Sequence, residues 1–365
     1  MNMKAAVLYE QRKPLVVDDI EIQDPKDGEV MVKMAAAGIC HSDLHFMEGL
    51  WPAPVPMVMG HEGAGIVEKV GPGVTSVAPG DHVVTSWVSP CGTCMTCMMS
   101  KPWLCVSALM GGGTMRDGTT RLKKGNQQLN HQNQVSTFAE YAVLPASGAV
   151  KIRDDMPLDK AALLGCGVMT GFGAVFNTAK VTPGSSVVVY GCGGVGLNVI
   201  QAAALANATT IIAVDTLDNK LEMAKQFGAT HVINSSQEDP VPQVQAITGT
   251  MGAAFGFEVV GKPSVITQTF ESVRPTGIAV VVGMAPAASN VVISTIGLFL
   301  TKTLTGSFYG EARIHQDMPM LADLYMAGKL KLDELVSRVY PLARINDAFD
   351  ALKKGEVARS IIKFD

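Results

Sequence analysis

The stretch Ser186-Val-Val-Val-Tyr190-Gly-Cys-Gly-Gly-Val-Gly196 decides the fold of this chain. A short β-branched run ends in a glycine-rich turn and passes directly into a helical pattern over residues 194–207. The next apolar run closes on Asp215, 19 residues past Gly196. In such a unit Gly191, Gly193 and Gly196 allow a tight turn and close backbone approach to a pyrophosphate. Gly194 and Val195 open the helix whose N-terminus holds that pyrophosphate. Asp215 is placed to accept hydrogen bonds from an adenosine ribose and to repel a 2′-phosphate, which selects NAD over NADP. A plain glycine-rich connection would need none of the flanking strand, helix and acid.

On either side of this turn, β-branched runs alternate with helical patterns at 186–190, 210–215, 231–234, 256–260, 278–283 and 303–308. One intervening helix, 218–227, has Asp218 as its expected N-cap and Gly228 just past its end. Six strands joined by helices predict a doubly wound parallel sheet, α/β in class. The first 160 or so residues read differently. Short β-like runs at 4–9, 15–22 and 29–35 are followed by turns such as Gly71-Pro72-Gly73 and Pro79-Gly80-Asp81. After residue 309 come amphipathic stretches, 318–327 and 345–353, and a short final strand, 360–364. The expected division is therefore 168–308 for the parallel-sheet domain, and 1–167 with 309–365 for the other.

A chain of 365 residues is long enough for two cores. Its 47% apolar and 17% charged residues are a globular composition, and a net charge of −4 gives no electrostatic reason to bind nucleic acid or an anionic membrane. The N-terminus meets Lys4 and Glu10 before any long apolar run, which argues against a signal peptide. Uncharged stretches at 161–179 and 275–301 are interrupted by glycines in the first and by Pro286 and Ser289-Asn290 in the second, unlike a membrane helix. The expectation is a cytoplasmic protein. Seven cysteines without a secretory leader point to metal or burial rather than disulfides.

Cys91-x-x-Cys94-x-x-Cys97-x7-Cys105 is the sharpest metal signal. Four thiolates so close in sequence can close a tetrahedral zinc shell, leaving no position for substrate. A ferredoxin-type iron–sulfur pattern would bring the last cysteine closer and follow it with proline, and here Val106 follows. Cys40, His61 and Cys166 form a second, dispersed set that could make a three-ligand zinc site with an open fourth position. Spacing alone does not join them, and each has an ordinary reading as buried filler or a satisfied histidine.

Several ordered motifs carry a family resemblance. These are Gly60-His-Glu-Gly-Ala-Gly-Ile-Val-Glu68, the four-cysteine lobe, Asp117-Gly-Thr-Thr-Arg121, Ser136-Thr-Phe-Ala-Glu-Tyr141, Gly165-Cys-Gly167, Gly191-Cys-Gly-Gly-Val-Gly-Leu197 and Phe257-Glu-Val-Val-Gly261. Together they resemble the medium-chain, zinc-containing alcohol dehydrogenases from the N-terminus to Phe364. Within that family the chain is most similar to the long-loop dimeric branch, which holds animal-type, glutathione-dependent formaldehyde and actinobacterial dye-linked enzymes.

The resemblance implies a GroES-like, mostly-β catalytic domain beside the Rossmann domain, and two Zn²⁺ per chain, one catalytic and one structural, with NAD. Cys40, His61 and Cys166 would hold the catalytic zinc, with Glu62 beside it and Asp43 orienting His61. Ser42 would hydrogen-bond the substrate oxygen and His45 would end the proton relay. His41 and Arg359 would contact the pyrophosphate; Asp215 and Lys220 would bracket the ribose. The substrate pocket would be lined by Trp87, Met110, Gln132, Asn133, Met284 and Phe308. The implied reaction is hydride transfer between an apolar or aromatic primary alcohol and NAD. The insertion at 111–134 implies a homodimer.

Two departures matter. The formaldehyde enzymes carry an arginine four residues after the last lobe cysteine, and here that residue is Leu109. Gln132 and Asn133 stand where animal members are usually apolar, so either they face substrate or their loop is displaced. The rival readings are an enzyme that retains NAD(H) and recycles it with a second acceptor, a thiol-adduct formaldehyde dehydrogenase, and a binding protein on a retired dehydrogenase fold. A retired fold would lack a ligand or relay residue, and none is missing.

Overall fold

The computed structural model describes residues 1–249, 251–286, 288–355 and 357–365. Two compact units divide the chain: Met1–Cys166 with Arg313–Asp365, and Gly167–Ala312. The breaks fall one residue before and four residues beyond those read from the sequence.

In the second unit six strands run parallel in the order His231–Asn234, Thr210–Asp215, Ser186–Tyr190, Ala253–Glu258, Val273–Val281, Thr303–Gly306. Val187, Val188 and Val189 are fully buried, as a strand covered on both faces requires. The strand order reverses at Ser186–Tyr190, so the glycine turn that follows it lies at the switch point of the sheet.

Boundaries moved where side chains intervened. The run expected at 256–260 is instead Ala253–Glu258, because the buried Glu258 carboxylate accepts the amides of Val260 and Gly261 at 2.8 and 2.6 Å and turns the chain there. Asp218 is not the N-cap; Leu217 holds that position, and Asp218 is the first residue of the helix Asp218–Gln226. Gly228 follows its C-cap with φ +113°, a left-handed conformation that glycine adopts without strain.

The first unit holds a closed barrel of five strands, Asn2–Leu8, Val16–Ile22, Leu122–Lys124, Gln127–His131 and Met57–Val58. Beside it lies a seven-stranded sheet in which Glu29–Gly38 pairs with Glu62–Val70 on one side and with Arg359–Lys363 on the other. Glu29–Gly38 is bent by register shifts near Met31 and Met34, and it also receives Tyr141–Pro145. Among the described residues no single helix is long and apolar enough to cross a membrane.

The segment 117–121 is fixed to this sheet by charge. Arg121 is fully buried, and its guanidinium forks onto Glu29 at 2.8 and 2.6 Å while Nη2 reaches Asp117 at 3.0 Å. Two carboxylates around one guanidinium balance a cation that could not otherwise leave water. Replacing Arg121 by methionine leaves the buried Glu29 carboxylate without a counter-charge, its remaining partner being the Lys26 amide at 2.9 Å. The expected cost is about 3–5 kcal/mol in urea unfolding of the metal-loaded chain, and a change within about 0.5 kcal/mol would contradict this assignment.

Candidate active site

All seven cysteines are free thiols. Four of them, Cys91, Cys94, Cys97 and Cys105, place their sulfurs within 4.8 Å of one another. Cys94 Sγ and Cys105 Sγ are 3.9 Å apart, close to the edge of about 3.8 Å of a tetrahedron with zinc–sulfur bonds near 2.3 Å. The backbone is bent around the sulfurs: Cys94 N–H donates to Cys91 Sγ at 3.3 Å and Cys91 N–H to Cys105 Sγ at 3.2 Å. The Thr96 hydroxyl and the Cys97 amide pull the Cys94 thiol down to about 5, while burial and the neighbouring sulfurs push Cys97 up to about 12. Four thiolates cannot coexist at that spacing without a cation, and a closed sulfur tetrahedron fits zinc.

A second set is assembled from distant segments. Cys40 follows the strand Glu29–Gly38 and starts the short helix His41–Met47, where its amide donates to Asp43 Oδ2 at 3.2 Å. His61 enters from the turn between Met57–Val58 and Glu62–Val70. Gly60 before it has φ +98°, and a Cβ there would lie 2.5 Å from the Phe138 amide nitrogen, so the turn admits only glycine. Cys166 closes the stretch after Ala162–Gly165. Donor atoms of Cys40, His61, Glu62 and Cys166 lie within 4.8 Å of one another, and all four residues are buried.

Asp43 Oδ1 takes the hydrogen bond of His61 Nδ1 at 2.7 Å, which leaves Nε2 as the ring nitrogen for a metal. Burial disfavours a charged imidazole here, but the Asp43 carboxylate and the Cys40 sulfur together outweigh it and hold His61 well above the usual histidine range. A hydrogen bond from Cys166 holds Cys40 well below the usual thiol range, and the same bond, with burial, pushes Cys166 well above it. Glu62 is pushed up to about 7 by burial, opposed by Arg359, whose guanidinium donates to Glu62 Oε2. Only a cation lets both thiolates form together. Two thiolates and one imidazole suit a zinc that keeps an open position.

The remaining expectations fall into place unevenly. Ser42 and His45 sit three residues apart on the helix His41–Met47, and the His45 ring meets Trp51 edge-on at 4.8 Å. Trp87 stands edge-on to His61 at 6.3 Å. His41 is exposed, and Met110 lies exposed at the end of the lobe helix Val106–Leu109. Asn133 is half-buried with φ +51°. Met284 and Phe308 belong to the second unit, the first exposed and the second half-buried. Arg359, expected at a pyrophosphate, has Glu62 as its partner here, a pairing the sequence reading missed.

Gln132 is a correction. It does not present its amide to a pocket: it is 1% exposed, and its Nε2 donates to Asp43 Oδ1 at 2.7 Å. Its position beside a run of polar residues carried no sign of that partner, 89 residues away.

In the second unit the glycine turn meets each requirement of a dinucleotide site. Gly191 has φ +99°, and nothing lies within 4 Å of a Cβ built on Gly193. At Gly196 a Cβ would fall 1.8 Å from the Gly191 carbonyl. These are the tight turn, the open approach and the close packing that such a turn needs. Gly193 is the N-cap of the helix Gly194–Leu205 and Val195 lies in its first turn. Asp215 Oδ2 accepts the Cys192 amide at 2.8 Å, which ties the acid to the turn. Lys220 lies half-buried on the following helix.

Comparison with known proteins agrees. Residues 26–154 match the alcohol dehydrogenase GroES-like domain and residues 194–326 the zinc-binding dehydrogenase domain. The chain is 41% identical over 370 residues to an alcohol dehydrogenase class-3 of Dictyostelium discoideum, covering 99% of this chain and 98% of that one. It is 40% identical over 375 residues to an S-(hydroxymethyl)glutathione dehydrogenase of Paracoccus denitrificans, covering both chains fully. A benzyl alcohol dehydrogenase structure from Acinetobacter calcoaceticus superposes with a TM-score of 0.95 at 36% identity over the full length of both.

The two donor sets make separate metal sites. Cys166→Ala is expected to lower the zinc content measured by atomic absorption from two per chain to one, the four-cysteine zinc being kept. Two zincs retained in that variant would contradict the assignment of Cys166 as a ligand.

Proposed function

This chain belongs to the zinc-containing alcohol dehydrogenase family, and we propose that it interconverts an apolar or aromatic primary alcohol and its aldehyde with NAD. The observation that carries this reading is the convergence of Cys40, His61 and Cys166 in one buried cluster with Asp43 behind His61. Bound zinc supplies a Lewis acid at the substrate oxygen, and bound NAD supplies the hydride acceptor.

The chain's own residues supply the rest. Ser42 takes the proton released at the substrate oxygen and passes it toward His45. His45 Nδ1 is buried without a hydrogen-bond partner among the described residues, and burial lowers its pKa, so the ring is neutral and able to accept at pH 7. Trp87, edge-on to His61, puts an aromatic wall beside the metal ligands. The benzyl alcohol dehydrogenase among the relatives supports the same substrate class. Leu109, in place of the arginine that would bind a glutathione carboxylate, speaks against the thiol-adduct reaction that other relatives are named for. Asp215 at the end of Thr210–Asp215 supports NAD over NADP. Six cysteines kept as thiolates for zinc, rather than paired as disulfides, suit the reducing cytoplasm.

The homodimer belongs to the same reading. In the second unit Thr303–Gly306 is an edge strand, and the neighbouring segment exposes Val292, Ile296, Leu298, Phe299 and Leu300. An exposed apolar patch beside an unpaired strand edge supports pairing with a second copy.

Two measurements test these points. With benzyl alcohol and NAD, aldehyde and NADH are expected in equal amounts, with kcat/KM for NAD at least about tenfold that for NADP, roughly the 1.4 kcal/mol that one ribose hydrogen bond and one charge repulsion supply. Turnover confined to formaldehyde with glutathione would overturn the substrate reading. Sedimentation equilibrium is expected to give twice the chain mass, and a monomer at micromolar concentration would overturn the dimer.

A further inference from the structure

The Gln132 side chain makes two short hydrogen bonds, both acting on His61, and its Nε2 also lies 3.4 Å from His61 Nδ1 itself. Its Nε2 donates to Asp43 Oδ1 at 2.7 Å, the same oxygen that takes His61 Nδ1. Its Oε1 accepts the Gly60 amide at 2.6 Å, on the peptide that leads directly into His61. The amide orientation is dictated chemically: reversed, it would set an oxygen against a carboxylate and an N–H₂ against an N–H. The side chain is buried, as is Asp43, so neither bond is shared with solvent.

The backbone of Gln132 is equally fixed. Its amide lies 3.2 Å from the Val58 carbonyl and 3.1 Å from Ser136 Oγ, and the preceding His131 amide donates to Gly113 at 2.7 Å. The glutamine thus joins three things: the loop after Gln127–His131, the glycine turn that carries the ligand histidine, and the carboxylate that orients its ring. Asp43 Oδ1 is left with two N–H donors and Oδ2 with the Cys40 amide at 3.2 Å. A carboxylate held from three directions cannot rotate away from the imidazole. One whose charge is shared among three donors also pulls less strongly on the imidazole proton.

From this geometry we infer that Gln132 is a positioning residue for the catalytic zinc: it clamps Asp43 and Gly60 so that His61 presents Nε2 to the metal in one orientation. The inference rests on zinc being held by Cys40, His61 and Cys166, which the metal content of the unaltered chain reads separately. A residue read from the sequence as pocket lining thereby becomes part of the support behind the metal.

Two variants test it, both read by the metal. Gln132→Met keeps the length of the side chain and removes both hydrogen bonds. Gln132→Glu keeps the acceptor for Gly60 and turns a charge toward Asp43. Each is expected to release the catalytic zinc to excess EDTA roughly 10- to 100-fold faster than the unaltered chain, with the four-cysteine zinc released at its original rate. With cobalt in the catalytic site, the visible absorption bands are expected to shift in both variants. Unchanged zinc release and an unchanged cobalt spectrum in Gln132→Met would overturn the inference. Should Gln132→Met lose both metals together by misfolding, Gln132→Glu decides, and release at the original rate in that variant would overturn the inference equally.

Discussion

Two thiolates and an imidazole buried within one small volume, beside a carboxylate that Arg359 already pairs, can all be held in their ligating forms only around a cation. That constraint organises the first unit. Strand pairing between Glu29–Gly38 and Glu62–Val70 sets Gly38 opposite Glu62 and so brings the segment after Gly38 alongside His61. At Gly38 a Cβ would lie 2.3 Å from Glu62 Oε2, so the close approach depends on a missing side chain. Arg359, from the last strand of the same sheet, then supplies positive charge to Glu62. The cluster is built by the sheet, with each ligand at the end of an element rather than within one.

Zinc plays opposite parts in the two sets. In the four-cysteine lobe every donor is sulfur and backbone amides point at the sulfurs, a closed arrangement that holds a loop with little core of its own. In the Cys40–His61–Cys166 set the histidine is backed by a carboxylate and an amide, and Glu62 waits with one oxygen, Oε1, unpartnered among the described residues. The supporting hydrogen bonds distinguish the reactive site from the structural one as clearly as the ligands do.

The nucleotide half was legible because its signal is contiguous. Strand, glycines, helix and acid lie within 30 residues, and each glycine answers a local steric demand that the structure shows at Gly191, Gly193 and Gly196. Three of the six parallel strands, 186–190, 210–215 and 231–234, end where periodicity put them. The fourth did not, since the Glu258 carboxylate captured the following amides, a side-chain effect no periodicity reports. The dispersed ligands needed the family resemblance, because residues 40, 61 and 166 share no element. Gln132 was misread for a related reason: a polar residue on a loop carries no mark of whether it faces ligand or protein, and its pairing with Asp43 comes from the loop after the barrel strand Gln127–His131 meeting the helix that follows Glu29–Gly38.

One chain thus holds two zincs in chemically distinct shells. Anomalous diffraction at the zinc edge from crystals of the purified chain tests it most directly. Two peaks are expected, one among Cys91, Cys94, Cys97 and Cys105, the other within bonding distance of Cys40 Sγ, His61 Nε2 and Cys166 Sγ. A single peak in the four-cysteine lobe, or a second peak bound through His61 Nδ1, would contradict it.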